Sequence, residues 1–302
     1  MRYCDMHCDA LTASGAPRVT GERLAAGGCL VQCFAAFVEE GGFSRFASLA
    51  DKFDQLCQRE GYHRVLCAGD IREDAVNAML TSEGGAFSSL EELKGLYNRG
   101  VRIAGFVWNM PTGAGFPNFP DYAGLCSGRV APALRETARG LTEFGFAAAE
   151  YMAEVGIIAD VSHGSDRLFA DIASLKRPFV ASHSNAASVQ NWARNLTDGQ
   201  IRTLADCGGV VGLNFCADFL SDDGSAEGQR AALLAHAHAV LRAGGEDVLA
   251  IGSDFDGIPD NAFLPDPSRM PVFLQLLADE FGARIAEKAA RDNFLRVIRD
   301  VL

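Results

Sequence analysis

Ile157-Ile158-Ala159-Asp160-Val161-Ser162-His163 and Phe179-Val180-Ala181-Ser182-His183 are two short apolar runs, each ending on a histidine. Their Ile, Val, Phe and Ala content fits strands covered on both faces. Between them, Asp166 to Leu175 repeats apolar residues at helical spacing. A strand, a helix and a second strand in that order form a parallel unit. The same alternation runs outward in both directions. Tyr3 to His7, Leu30 to Val38, Asn77 to Glu83 and Val101 to Val107 read as earlier strands, and Val210 to Phe215 and Val248 to Ser253 as later ones. Helical patterns separate them at Phe43 to Arg59, Leu90 to Tyr97, Leu141 to Glu154, Asp198 to Asp206 and Gln229 to Ala243, and Arg284 to Val301 closes the chain. Glycines at Gly27-Gly28, Gly100, Gly156, Gly208-Gly209 and Gly244-Gly245 stand where helix C-caps return to strands. Eight strands with intervening helices predict an α/β fold, a (β/α)8 TIM-type barrel spanning 1–302 as one domain. A doubly wound open sheet is the alternative. Its dinucleotide-binding form is disfavoured, because no glycine-rich phosphate loop follows the first strand.

Composition narrows the function. The 302 residues are 48% hydrophobic, enough to bury a large core. A net charge of −12 argues against nucleic acid as a partner, since phosphate contacts need clustered Lys and Arg. It also disfavours an anionic membrane surface. No apolar run is long enough for a membrane span, and Met1 leads into a strand pattern rather than a secretory leader. Nine cysteines without zinc-finger spacing read as reduced thiols, several within apolar runs, and predict a cytoplasmic protein.

The strand ends carry the chemistry. His7 and Asp9 follow the first strand, Glu83 the third, His163 and His183 the fifth and sixth, and Asp254 the last. In a barrel all these ends share one rim. Residues two apart on a strand point the same way, so His7 and Asp9 suit one divalent ion, or form a structural hydrogen-bonded pair. Two histidines on neighbouring strands suit zinc and similar metals. Glu83 has two oxygens and can bridge paired metals, or it caps the turn at Gly84-Gly85. Barrel hydrolases also bridge metals with a modified lysine. The four lysines here, Lys52, Lys94, Lys176 and Lys288, all lie away from C-terminal strand ends, so a bridge falls to Glu83. Asp254 is placed to take a proton from an attacking water and return it to a leaving amine, with Asp256 pointing the same way. Alternatively, these aspartates bond the loop amides near Gly257. Arg194 offers a fork for a substrate carboxylate, or is an ordinary ion-paired arginine. His63, in a connection, and His236 and His238, on a helix, read as structural or surface residues. A stretch from Asn109 to about Arg135, rich in Pro and Gly, leaves the fourth strand on the active-site face and reads as a wall or lid.

Together these segments resemble the renal (membrane) dipeptidase family of metallopeptidases, in the amidohydrolase superfamily. The likeness is densest from Gly140-Leu141-Thr142-Glu143-Phe144-Gly145 through both histidine runs to Gly208-Gly209-Val210-Val211-Gly212-Leu213-Asn214-Phe215. It resumes at Gly252-Ser253-Asp254-Phe255-Asp256-Gly257 and at Asn293-Phe294-Leu295-Arg296-Val297. The resemblance implies a distorted barrel with two divalent ions, expected to be zinc. His7 and Asp9 would hold the first ion, Glu83 would bridge, and His163 and His183 would hold the second. Asp254 would shuttle the proton and Arg194 would hold the substrate carboxylate. It also implies a small-molecule dipeptide substrate, tolerance of a D-residue at the second position, and a homodimer. One position departs from the family. In Gly105-Phe106-Val107-Trp108-Asn109, Trp108 replaces a histidine thought to polarise the scissile carbonyl. An indole N–H donates one hydrogen bond and never becomes cationic. The expected function is therefore a metal-dependent dipeptidase. Action on another amide, lactone or N-acyl amino acid is the first alternative, and a non-catalytic metal- or ligand-binding barrel the second.

Overall fold

A computed structural model describes residues 1–302. Nine parallel strands form one sheet: β1 (Tyr3–Asp5), β2 (Cys29–Val38), β3 (His63–Arg64), β4 (Asn77–Gly84), β5 (Val101–Gly105), β6 (Ile158–Asp160), β7 (Val180–Ala181), β8 (Val210–Leu213) and β9 (Leu249–Ile251). The order is β1-β2-β4-β5-β6-β7-β8-β9, with the two-residue β3 paired to β4. Consecutive parallel neighbours joined by helices make this the predicted barrel. His63, expected in a connection, lies in β3.

Closure occurs beyond the formal strand ends. Met6 N–H donates to Ile251 O at 2.9 Å, Asp254 N–H to His7 O at 3.1 Å, and Asp9 N–H to Phe255 O at 2.8 Å. Cys8 bridges Phe255 in parallel. The buried Asp5 carboxylate braces this seam by accepting from Ser253 N–H at 2.9 Å and Ser253 Oγ at 2.6 Å.

Two apolar layers follow from strand alternation. Cys4, Val31, Met79, Ile103, Ile158, Val180, Val210 and Ala250 join Phe294, Val297 and Ile298 of the helix Asn293–Val301 in one cluster. That helix closes the end opposite the histidines, and burying a side chain such as Phe294 contributes roughly 2 kcal/mol. The larger cluster lies mainly between strands and outer helices, where Phe46, Leu49 and Phe53 form the predicted stripe of the helix Gly42–Glu60. The expected single helix Arg284 to Val301 is instead interrupted by a π-turn at Lys288–Asp292. Helices Gly21–Gly27, Tyr122–Cys126, Ala217–Leu220 and Met270–Phe281 were not anticipated by periodicity. Three are a few residues long, and in the fourth the exposed Pro271 and Val272 blur the polar face that Gln275 and Asp279 begin only later. All nine cysteines are unpaired, and no helix is long and apolar enough to cross a membrane.

Candidate metal centre

Glu83 lies within β4, but the other strands stop before the candidate ligands, so short turns, not strand pleat, aim those. β1 ends at Asp5 and β7 at Ala181, with His7, Asp9 and His183 just beyond. His163 (φ 65°), Asp254 (φ 64°) and Asp256 (φ 70°) occupy the left-handed region that non-glycine residues avoid. Such strain persists where surroundings over-determine the backbone, as at functional sites. Here Asn118 N–H donates to His163 O at 2.7 Å and Gly257 N–H to Asp254 O at 3.1 Å.

All six predicted residues of the centre converge and are buried. His7 Nε2 lies 3.3 Å from Asp9 Oδ2, 3.5 Å from Glu83 Oε2 and 3.9 Å from Asp254 Oδ1. The other oxygen of Glu83, Oε1, lies 2.9 Å from His163 Nε2 and 3.4 Å from His183 Nε2. One carboxylate thus spans two clusters, as a bridging ligand must. Ligand atoms of His7, Glu83 and His183 lie within 4.8 Å of one another, as do those of His7, Asp9 and Asp254.

The surrounding hydrogen bonds fix both imidazole tautomers. His163 Nδ1 faces Asn109 Oδ1 at 2.9 Å, an acceptor, so Nδ1 carries the proton. Ser182 Oγ donates to Asp160 Oδ2, leaving its lone pair for the Nδ1–H of His183 at 2.7 Å. Asp160 is itself held by Ser162 N–H at 2.9 Å and Ser182 N–H at 3.0 Å. Each Nε2 therefore presents a bare lone pair. These two nitrogens sit 3.1 Å apart and both face a carboxylate oxygen. With no proton between them, this arrangement is repulsive and calls for a cation. Asp9 Oδ1 and Glu83 Oε1 are buried without hydrogen-bond partners. Gly257 leaves the space open, since a Cβ there would lie 2.7 Å from Asp254 Oδ1 and closer still to Asp9 Oδ2. The donor set of imidazoles and carboxylates fits divalent ions.

Charge leads to the same conclusion. Asp9, Glu83 and Asp254 bring three buried carboxyls to one point. Burial raises Asp254 to about 7; His7 opposes this, while the Asp9 and Glu83 carboxylates add to it. Burial also raises Glu83, against the pull of His7 and Arg194. Burial disfavours the His7 cation, but Glu83, Asp9 and Asp254 outweigh it and carry His7 up to about 10. Burial and the His7 and Arg194 charges hold His163 and His183 low, in the neutral form that ligates metals. Metal uptake should therefore displace a proton from His7, and affinity should rise with pH up to about 10. Zinc calorimetry near neutral pH in buffers of different ionisation enthalpy should show at least one proton released in total, one from His7 and part of another from Asp254; buffer-independent heats would contradict the assignment.

The centre lies in a cavity of about 390 Å3, walled further by Phe37, Trp108, Tyr122, Cys216, Phe219 and Ile258. Trp108 packs between Phe37, at 5.0 Å between ring centroids, and Tyr122, at 5.4 Å. Arg194 is placed differently from a surface fork. It is buried behind the histidine turn, with Nη2 donating to His183 O at 2.9 Å, Nη1 to Ser184 Oγ at 3.0 Å, and Nε unpartnered. Asp256 is structural, but it braces a distant loop rather than the amides near Gly257. Its carboxylate accepts from Arg18 N–H at 2.6 Å and Val19 N–H at 3.0 Å. His236 accepts from Ala186 N–H at 3.1 Å and bonds Leu220 O at 3.0 Å, and the exposed His238 pairs with Glu280, so both are remote from the centre. The stretch 109–135 is a pinned wall: Arg135 grips Asp166 at 2.7 Å and Asn195 O at 2.9 Å, and Thr112 Oγ1 donates to Phe106 O at 2.8 Å.

A family model for membrane dipeptidase (peptidase family M19) matches residues 8–302. The chain belongs to peptidase family M19. An uncharacterised protein from the pqqA 5′ region of Klebsiella pneumoniae is 34% identical over 252 residues, 78% of this chain and 88% of that protein. A dipeptidase of family M19 superimposes with TM-score 0.88 at 26% identity, covering 100% of this chain and 98% of its own. A metallopeptidase from Rhodobacter sphaeroides, solved with a phosphinate mimic of the dipeptide L-Ala-D-Ala, gives TM-score 0.87 at 24% identity, covering 100% and 99%.

This M19 member also uses residues that sequence reasoning passed over. Asn109, Asp160 and Ser182 orient the imidazoles, and Asn214 Nδ2 donates to Asp254 Oδ2 at 2.8 Å, leaving Oδ1 toward His7. Asp5 and Asp160 carried a signal, since each precedes a candidate ligand histidine by two or three residues at a strand end. Losing an outer partner typically lowers metal affinity about 10- to 100-fold. Asn109→Ala should do so in a competitive chelator titration, and an unchanged affinity would remove Asn109 from the design.

Proposed function

We propose that this M19 member is a zinc-dependent dipeptidase, with all 302 residues acting as one catalytic barrel. Glu83 carries the reading: its Oε2 faces His7, and its Oε1 faces His163 and His183. His7 and Asp9 would hold one divalent ion, His163 and His183 a second, and Glu83 would serve both, an arrangement suited to amide hydrolysis. When bound, such ions acidify a water and polarise the scissile carbonyl. The chain supplies the remaining steps. Asp254 takes the proton from the attacking water and returns it to the leaving amine. Asn214 holds one Asp254 oxygen so that the other faces the reacting atoms. Arg194 stiffens the His183 turn and, by the family resemblance, is assigned the substrate carboxylate; its Nε is buried and has no partner within the protein. Trp108 and Phe37 form an apolar wall against which the substrate packs. Tolerance of a D-residue at the second position follows the Rhodobacter sphaeroides relative, whose ligand mimics L-Ala-D-Ala. Nine unpaired cysteines support a reducing compartment such as the cytoplasm.

The test pairs metal analysis of the purified protein with a dipeptide panel carrying L- and D-residues at the second position. Two zinc equivalents and turnover of both series are expected. Hydrolysis of N-acyl amino acids with no dipeptide cleaved would transfer the site to that substrate class.

A further inference from the structure

The metal cavity has a neighbour. A second cavity of about 470 Å3 shares Asn109, Tyr122, His163 and Phe219 with it. Beyond those shared walls the lining turns apolar, with Phe119, Leu125, Val130, Pro132 and Trp192. Asp218 is its sole carboxylate and is exposed at the rim. The chamber lies on the His163 side. Asp9, Asp254 and Gly257, on the opposite side, line the metal cavity alone. Its outer wall is the 109–135 stretch, held by Arg135 and by Asn118 N–H on His163 O. A dipeptide of two small residues would leave this chamber filled with water against apolar walls. A large apolar group would displace that water at a hydrophobic gain.

We propose that the chamber is a specificity subsite. It receives a large apolar side chain, aromatic or branched aliphatic, flanking the scissile amide on the His163 side. The inference rests on the reading that the adjoining metal centre cleaves amides, and it adds the class of substrate. Filling the chamber should favour leucine- or phenylalanine-containing dipeptides over Gly-Gly by about 10- to 200-fold in kcat/KM.

Two variants test it. Ala131 is exposed at the chamber rim, so Ala131→Trp places an indole in the opening with little risk to folding. Leu125→Ala enlarges the chamber from within. Ala131→Trp should lower kcat/KM for the leucine and phenylalanine substrates at least about tenfold more than for Gly-Gly. Leu125→Ala should shift preference toward the larger of the two. Placing the apolar residue first or second in the dipeptide shows which side chain enters. Equal changes across the panel, or a wild-type enzyme indifferent to side-chain size, would overturn the proposal. A second readout needs no turnover. The chain has two tryptophans, one in each cavity, so Trp192 is the sole indole after Trp108→Phe. In metal-loaded Trp108→Phe/Asp254→Asn protein, a phenylalanine-containing dipeptide should change Trp192 emission, whereas Gly-Gly should not. If wild type cleaves no amide but this response appears, the catalytic reading fails and the chamber stands; if turnover occurs and the response is absent, the chamber fails alone.

Discussion

Replacing Glu83 by alanine is expected to cost about 10^3-fold or more in kcat/KM, because both clusters lose a shared ligand at once. The carboxylate is buried, with one oxygen 3.5 Å from His7 Nε2 and the other 2.9 Å from His163 Nε2. Without it, the bare nitrogens of His163 and His183 keep only each other, 3.1 Å apart. Metal analysis after dialysis should fall from two equivalents to one or fewer, while far-ultraviolet dichroism stays native. Glu83→Gln separates shape from charge: its amide end would direct N–H groups at one cluster, so one ion should be lost preferentially. Full retention of two ions in Glu83→Ala would end the bridging assignment.

Asp254→Asn should behave in the opposite way, keeping both ions while kcat drops by about 10^2- to 10^4-fold with KM little changed. The asparagine keeps the size of the side chain but cannot accept and release a proton. Its wild-type carboxyl is held at about 7 by burial and neighbouring carboxylates. Bound cations favour the charged form, so the acid limb of kcat should lie below pH 7. Activity falls as pH drops through that limb, since the protonated acid cannot act as a base. The limb should vanish from the residual activity of Asp254→Asn. A variant with wild-type kcat and intact metal would exclude the shuttle role.

The barrel was legible because its signal is local. Each apolar run and each helical stripe records its own burial, and returning glycines such as Gly156 at φ 78° mark the joints. The candidate ligands were legible because histidines and carboxylates are rare at the ends of apolar runs. His7 and Asp9 do come together, but period-two spacing is an incomplete reason for it. The strand ends at Asp5, and the two side chains converge because Cys8 pairs with Phe255, nearly the whole chain away. No local pattern records such pairings. Asn109 and Asn214 were overlooked for the same reason: an amide's partner is set by tertiary geometry, and here the partners are His163 and Asp254. Arg194 reads as a fork for substrate from its residue type, and its added bond to His183 O is set by tertiary geometry that no local pattern records.

The seam between β1 and β9 ties closure of the barrel to the centre. Beside Met6 N–H on Ile251 O, its main-chain bonds come from His7, Asp9 and Asp254, whose side chains meet in the centre. Occupancy and closure are thus linked equilibria, so each stabilises the other. A chelator would act on this chain as a denaturant confined to its first dozen residues, loosening one stave while the wall from β2 to β8 holds.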